Sequence, residues 1–188
     1  MLAFSRFQGW PLEGYHQQSH PLQHAIREEL ARWIEPDPDA LVWGSDGCGV
    51  PTPVLSLEEM AQAYARFGSS AEVGSRKIIK AMTVDPTLIS GDAAFSANIM
   101  LATRGRILGK EGAEGVFCLT CPEDGWGAAF KVADGAMRAI GPAVVHGLLR
   151  LDLLAGVDVE RLRRFREPEI ENTRGEWGGR LRVVSELD

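Results

Sequence analysis

The chain contains 188 residues, of which 45% are hydrophobic and 24% are charged, and its formal net charge at pH 7 is -6. This length and apolar content predict one domain over residues 1–188 with a sizeable core, and the charged fraction argues against long disorder. The acidic balance excludes a broad basic surface, so neither nucleic acid nor anionic lipid is expected as a partner.

Signals for membrane targeting and disulfide bonding are missing from the sequence. No apolar run approaches the roughly 20 residues of a membrane span, and the start, residues 1–7, is too short and polar for the apolar region of a signal peptide. We therefore expect a cytoplasmic protein without membrane attachment. The cysteines Cys48, Cys118 and Cys121 are odd in number and do not suggest a disulfide framework.

The first predicted element is an amphipathic helix. Ser19 can cap it, Pro21 lies in its first turn, and we expect it to end before the Pro-Asp-Pro sequence at 36–38. Apolar side chains recur every three or four residues along one face, namely Leu22, Ala25, Ile26, Leu30, Trp33 and Ile34.

A short strand and three more helices are predicted next. The strand is buried, covers residues 41–43, and leads into a glycine-rich turn at 44–49 that carries Cys48. Ser56 and Glu59 have the spacing of a capping box. The predicted helices cover residues 57–67, 75–84 and 92–103.

Strands dominate the second half of the prediction. They cover residues 106–110, 116–120, 126–132 and, near the end, 180–184. A tight turn at 122–125 joins the strands at 116–120 and 126–132. A helix that begins near Pro142 precedes the strand at 180–184. There is no strand–helix alternation and no GxGxxG after a strand, so the predicted class is a mixed α/β (α+β) fold with an antiparallel sheet packed against helices.

Lys131 is the leading candidate for chemistry, because it lies near the end of an otherwise apolar strand. Strand pattern alone leaves two positions open for it, the solvent face or a half-buried setting that would lower its pKa and suit proton transfer or carboxylate binding. Gly127 and Gly135 permit a ligand to approach the backbone, so we take Gly127, Asp134 and Gly135 as candidate substrate-binding residues.

Two metal or redox patterns have simpler alternatives. His16, His20 and His24 recur every four residues, but Pro21 should start the helix and leave His16 out of line, which favours surface or capping histidines. Cys118 and Cys121 have redox or zinc spacing at the end of a strand, where buried reduced cysteine is the alternative.

Five motifs in order resemble the bacterial asparaginase II family, the Rhizobium-type L-asparaginases. They lie at residues 9–15, 20–23, 46–51, 112–116 and 131–135. The resemblance implies a fold like that of serine β-lactamases and glutaminases, and hydrolysis of L-asparagine to L-aspartate and ammonia through a Ser-Lys constellation. It also implies that Lys131 is the catalytic strand lysine and that Cys48 is one ligand of a zinc site.

One part of the family pattern is missing. No serine or threonine in the sequence has a lysine three residues later, the spacing that lets an amine activate a hydroxyl. We therefore expect the chain to match the C-terminal portion of a longer asparaginase-type fold, lacking an N-terminal segment with the Ser-x-x-Lys nucleophile and most of the zinc ligands. Met1 would then be either an internal methionine of a longer enzyme or the start of a shortened one.

The leading hypothesis is an asparaginase-type amidohydrolase that is incomplete in this chain, acting on a small amino-acid amide. No cofactor is required for that chemistry, although zinc is possible at Cys48. Without the N-terminal segment, apolar helix faces and strand edges would be left uncovered, which would favour a homo-oligomer. The alternative is a non-catalytic amino-acid-binding remnant of the fold, and a thiol oxidoreductase using Cys118 and Cys121 is a third option.

Overall fold

A computed structural model describes residues 1–34 and 41–185. Two helices lie in the first part, α1 over Leu2–Phe7 and α2 over Pro21–Ile34. The predicted end of α2 at 36–38 lies outside the described residues. No helix in the described part of the chain is long and apolar enough to cross a membrane.

The start of α2 is fixed by a histidine. The backbone N–H of Leu22 donates a 3.1 Å hydrogen bond to Nδ1 of the buried His20, and Nε2 of that ring lies 2.9 Å from the carbonyl oxygen of Pro11. Because Nδ1 accepts, Nε2 carries the proton. His20, rather than the predicted Ser19, therefore caps the helix.

A two-stranded antiparallel ribbon follows. Strand β1 covers Trp43–Ser45 and strand β2 covers Pro51–Pro53. The predicted strand at 41–43 is thus shifted by two residues. Its Pro-Thr-Pro partner was not predicted, because proline is depleted in strands and is tolerated only where no N–H is needed by the ladder.

Four helices lie between this ribbon and the main sheet: α3 over Leu57–Ser69, α4 over Val73–Val84, α5 over Thr87–Ser90 and α6 over Phe95–Ala102. The predicted capping box is confirmed at α3, where the Glu59 N–H donates to Ser56 Oγ at 3.2 Å and the Ser56 N–H donates to Glu59 Oε2 at 2.7 Å. The predicted helix at 92–103 begins later, at Phe95.

The main sheet has the order β3-β4-β5 and is antiparallel, with β3 over Leu108–Glu111, β4 over Val116–Cys121 and β5 over Trp126–Lys131. Helix α3 packs on one face, where Gly127 leaves room for the backbone of Ala61 and Ala65. The other face carries the core. Its buried side chains come from α6, the sheet and α7 (Ile140–Arg150), and include Ile99, Met100, Phe117, Leu119, Val144, Val145 and Leu148.

The C-terminal part contains a short helix α8 over Arg163–Arg166 and a hairpin of β6 over Glu169–Glu171 with β7 over Trp177–Arg180. The predicted terminal strand at 180–184 is wrong, since regular structure ends at Arg180 in the described residues. Helices together with antiparallel sheets confirm the predicted α+β class.

Candidate functional site

Lys131 ends β5 and pairs with Val116 of β4. Its Nζ donates hydrogen bonds of 2.6 Å to the carbonyl oxygen of Glu114 and 2.7 Å to that of Val132. The residue is exposed, so the structure selects the solvent position among the two that the sequence left open. Main-chain carbonyls, rather than apolar burial, fix the amine.

The turn below this amine is held by backbone geometry that favours glycine. Glu114 and Gly115 have φ values of 56° and 68°, and the Val132 N–H donates to the Gly115 carbonyl at 2.8 Å. A Cβ on Gly115 would lie 2.8 Å from the Cβ of Val132. The close approach of the two chain segments therefore depends on a residue without a side chain at position 115.

Asp134 and Gly135 lie at the same turn. Oδ1 of Asp134 accepts a 2.9 Å hydrogen bond from the Ala136 N–H, and the Gly135 N–H donates to the Val132 carbonyl at 3.0 Å. A Cβ on Gly135 would lie against the Glu114 carboxylate. The structure thus brings together Lys131, Asp134 and Gly135, three of the four predicted catalytic and substrate-binding residues.

Gly127 is placed elsewhere. It lies four residues before Lys131 on β5, about 13 Å away along the strand, and opposite Thr120 of β4. A Cβ there would collide with the backbone of Ala61 and Ala65 in α3. Its place is explained by sheet-to-helix packing, and no contact with the Lys131 turn supports its predicted part in substrate binding.

This arrangement presents an ammonium group at an exposed turn. Two of the three N–H donors of Lys131 are directed to carbonyl oxygens, which leaves a third for a ligand. A carboxylate is the best acceptor for such a donor, because the hydrogen bond is then charge-assisted. No hydroxyl group is hydrogen-bonded to Lys131 among residues 1–34 and 41–185.

Cys48 lies on the exposed turn between β1 and β2. Oδ1 of Asp46 accepts hydrogen bonds from the N–H groups of Cys48 and Val50, at 2.9 and 3.0 Å, so this carboxylate oxygen organises the turn. Within the described residues, no group of three or more histidine, cysteine, aspartate or glutamate side chains could hold a metal ion. Among the described residues, Cys48 therefore has too few neighbouring ligands for a zinc site, which takes three or four from the protein.

The other two cysteines do not form a redox pair. Three residues apart on β4, Cys118 and Cys121 point to opposite faces of the sheet and are about 10 Å apart. Burial raises the pKa of Cys118 to about 11, and burial is also the main cause of the raised pKa of Cys121. A reactive thiol needs the opposite shift. The structure therefore favours the alternative of buried, reduced cysteines.

The three histidines are likewise not brought together as metal ligands. Both ring nitrogens of His20 are engaged at the start of α2, while His16 and His24 are exposed. The capping alternative is the one observed, and the capping residue is His20.

Sequence reasoning missed two residues that shape the Lys131 turn. The carbonyl of Glu114 holds the amine, and Sδ of Met137 accepts a 3.3 Å hydrogen bond from the Gly115 N–H. The 112–116 motif contained Glu114 but gave no sign that its main chain, rather than its carboxylate, contacts Lys131. Met137 lies in a short 3-10 helix, Met137–Ala139, for which no periodic signal exists.

The chain matches the model of a known protein family. A family model described as L-asparaginase II matches residues 1–183. No curated protein matched the chain. The match does not support the narrower expectation that the resemblance is to a C-terminal portion of the family. Since the matched range covers nearly all of the sequence, the chain belongs to the L-asparaginase II family.

Proposed function

We propose that this protein is an L-asparaginase-type amidohydrolase, which hydrolyses the side-chain amide of L-asparagine to L-aspartate and ammonia. The match to the L-asparaginase II family over residues 1–183 carries the proposal. The clustering of Lys131, Asp134 and Gly135 at one exposed turn supports it, because these residues form one of the motifs that resemble the family.

The reaction is an acyl transfer. A hydroxyl oxygen attacks the side-chain amide carbon, the C–N bond breaks, and the nitrogen leaves as ammonia after taking up a proton. Water then attacks the resulting ester and releases L-aspartate, which returns the proton to the hydroxyl oxygen. The family resemblance implies that a serine activated by a lysine supplies this hydroxyl.

Lys131 suits charge positioning better than base catalysis. A base must offer a lone pair, whereas the Lys131 amine donates to the carbonyl oxygens of Glu114 and Val132. Its remaining N–H would bind the α-carboxylate of the amino acid, with Gly135 permitting close approach. Asp134 would keep the turn in shape through its bond to Ala136.

Zinc enters no step of this proposal. Cys48 is exposed, and no described cluster of side chains completes a tetrahedral set around it. The thiol nevertheless lies in a motif that resembles the zinc-bearing segment of the family. Metal content of the purified protein, measured by plasma emission spectrometry with Cys48→Ser as the matched variant, tests this residue directly.

A second candidate function is binding of the amino acid without turnover. One observation favours it: no serine or threonine in the sequence has a lysine three residues later. A turn that binds the α-carboxylate would retain affinity for L-asparagine and L-aspartate even where no activated hydroxyl acts on the amide.

Two assays on the same protein separate these functions. Ammonia release from L-asparagine supports the hydrolase, and heat of binding for L-asparagine without ammonia supports the binding protein. In either case Lys131→Met should weaken the response at least about tenfold, the loss of one charge-assisted hydrogen bond. Lys77→Met, at an exposed position on α4, is the matched control. If L-asparagine gave neither heat of binding nor ammonia, both proposals would be refuted.

Three further expectations belong to the same proposal. We propose a β-lactamase-like arrangement of one domain, a homo-oligomer in solution, and a cytoplasmic location. Sedimentation velocity tests the oligomer, since a single species with the mass of one chain at every concentration would contradict it.

A further inference from the structure

A cavity of about 360 Å³ lies beside the end of β3, between the start of α7 and α8. Its lining is mainly apolar, with three charged side chains from Glu111, Arg138 and Arg164. The volume is within the range typical of small-molecule sites. Lys131 is not part of its wall, but Met137, whose Sδ accepts the Gly115 N–H, is, so the cavity adjoins the turn described above without containing the lysine.

Glu111 lines this cavity, and one oxygen of its carboxylate is buried without a partner in the described part of the chain. It is the last residue of β3 and lies opposite Phe117, on the face of the sheet that carries the core. Its Oε2 is shielded from solvent and has no hydrogen-bond partner among the described residues. Leaving such an oxygen without a partner costs free energy, which a rotation of the carboxylate towards an N–H donor in the cavity would recover.

Aromatic rings form the apolar wall. The ring of Phe95 lies 5.0 Å from that of Phe117 and 5.1 Å from that of Phe165, measured between centroids. A Cβ at Gly141 would lie 2.7 Å from the carbonyl oxygen of Phe165, so the glycine at the start of α7 is what lets this wall close. The wall is therefore built by tight packing rather than left by a gap between elements.

Positive charge lies at the rim of the cavity. Arg138 is exposed, and within residues 1–34 and 41–185 it takes part in no ion pair. The guanidinium of Arg164 is engaged, since it lies 4.7 Å from the centroid of the Phe165 ring and donates to the Asp92 carbonyl at 3.4 Å. Arg138 is thus the better placed of the two to receive a carboxylate from solution.

We propose that this cavity binds a free α-amino acid with an apolar side chain. The ligand's ammonium group would donate to Glu111, its carboxylate would accept from Arg138, and its side chain would pack among Phe95, Phe117 and Phe165. The aromatic wall favours a side chain such as that of phenylalanine or leucine over the polar amide of asparagine, whose burial there would leave its hydrogen bonds unmade. The site does not depend on the proposed hydrolase activity.

Calorimetry with analogues tests the ligand class. We expect L-phenylalanine and L-leucine to bind, and 2-phenylethylamine, 3-phenylpropionate and L-asparagine to bind at least about tenfold more weakly, because each lacks one of the three complementary groups. Equal binding of the amine or the acid would overturn the amino-acid assignment. No binding of either apolar amino acid would overturn the site.

Glu111→Gln gives the sharper test, because its two expected effects go in opposite directions. Removing the unpartnered charge should raise the melting temperature of the unliganded protein, while affinity for L-phenylalanine falls about 10- to 100-fold. A structural role alone would lower the melting temperature. Glu123→Gln, at an exposed turn position, is the matched control and should change neither property.

Arg138→Gln provides an independent variant on the protein surface. It should leave the melting temperature unchanged and reduce affinity for L-phenylalanine about tenfold, while weak binding of 2-phenylethylamine stays the same. Full affinity for L-phenylalanine in either Glu111→Gln or Arg138→Gln would refute the proposal.

Discussion

Lys131 and Glu114 are joined by a 2.6 Å hydrogen bond from the lysine ammonium to the glutamate carbonyl oxygen. Glu114 has a φ of 56°, a conformation that costs a non-glycine residue of order 1 kcal/mol or more. The lysine holds this carbonyl at the end of β5, so the position of the amine and the shape of the turn depend on each other. Any ligand that draws the amine away must also compensate for the loss of that contact.

Gly115→Ala should destabilise the protein through two effects at once. The residue has a φ of 68°, and a Cβ would lie 2.8 Å from that of Val132. We expect the free energy of unfolding to fall by about 2–4 kcal/mol in urea titrations, combining backbone strain and steric overlap. Gly49→Ala is the control, since φ is 73° but no atom lies within 4 Å, and it should cost only about 1 kcal/mol. Equal losses of unfolding free energy in Gly115→Ala and Gly49→Ala would contradict the steric overlap at Val132.

Gly127→Ala separates packing from substrate binding at a residue predicted for the site. An added Cβ would run into the α3 backbone at Ala61 and Ala65, so we expect a loss of about 2 kcal/mol or more in unfolding free energy. Gly44→Ala, in open space on β1, should change stability by less than about 1 kcal/mol. Unchanged stability in Gly127→Ala with weakened L-asparagine binding would instead favour the predicted binding role.

Local signals allowed much of the fold to be predicted. The capping box of Ser56 and Glu59 needs only four consecutive residues, and apolar strand patterns located β4 and β5 almost to the residue. The cap at His20 and the Pro-Thr-Pro strand could not be predicted, because both depend on partners brought close by tertiary structure. His20 serves as a cap because its other nitrogen reaches Pro11, nine residues earlier in the chain.

The proximity of the two site motifs could be predicted from the sequence, but the solvent exposure of Lys131 could not. The 112–116 and 131–135 motifs flank paired strands, so their proximity follows from a hairpin register. Strand alternation places Gly127 and Lys131 on the same face, but it does not say how far α3 covers that face. The helix packs over Gly127, whereas Lys131 is exposed. Where a neighbouring helix ends is a property of tertiary packing and leaves no mark on the strand itself.

Glu59 should contribute stability that depends on pH. Hydrogen bonds from the backbone and then the side chain of Ser56 lower the pKa of Glu59 below its usual value of 4.5. A carboxyl group with a lowered folded pKa stabilises the protein above its unfolded pKa, and this contribution disappears as pH falls through the folded value. The melting temperature of the wild type should therefore exceed that of Glu59→Gln at neutral pH, and the difference should shrink towards about pH 3.

Glu58→Gln serves as the control for that experiment, because Glu58 shares the first turn of α3 but is not the capping-box residue. The difference in melting temperature between Glu58→Gln and the wild type should vary less with pH. A gap between wild type and Glu59→Gln that stays constant across the range would contradict the role of the Ser56 hydrogen bonds.

Thiol reactivity should single out Cys48. This thiol is exposed, whereas Cys118 is buried with its pKa raised to about 11, and burial likewise raises the pKa of Cys121. Because the thiolate is the reacting species, an aromatic disulfide reagent at about pH 8 should modify a single thiol rapidly in the folded protein. Cys48→Ser should abolish that rapid phase, and denaturant should then expose the two remaining thiols. A rapid reaction persisting in folded Cys48→Ser would show that β4 opens more readily than its packing between α3 and the core implies.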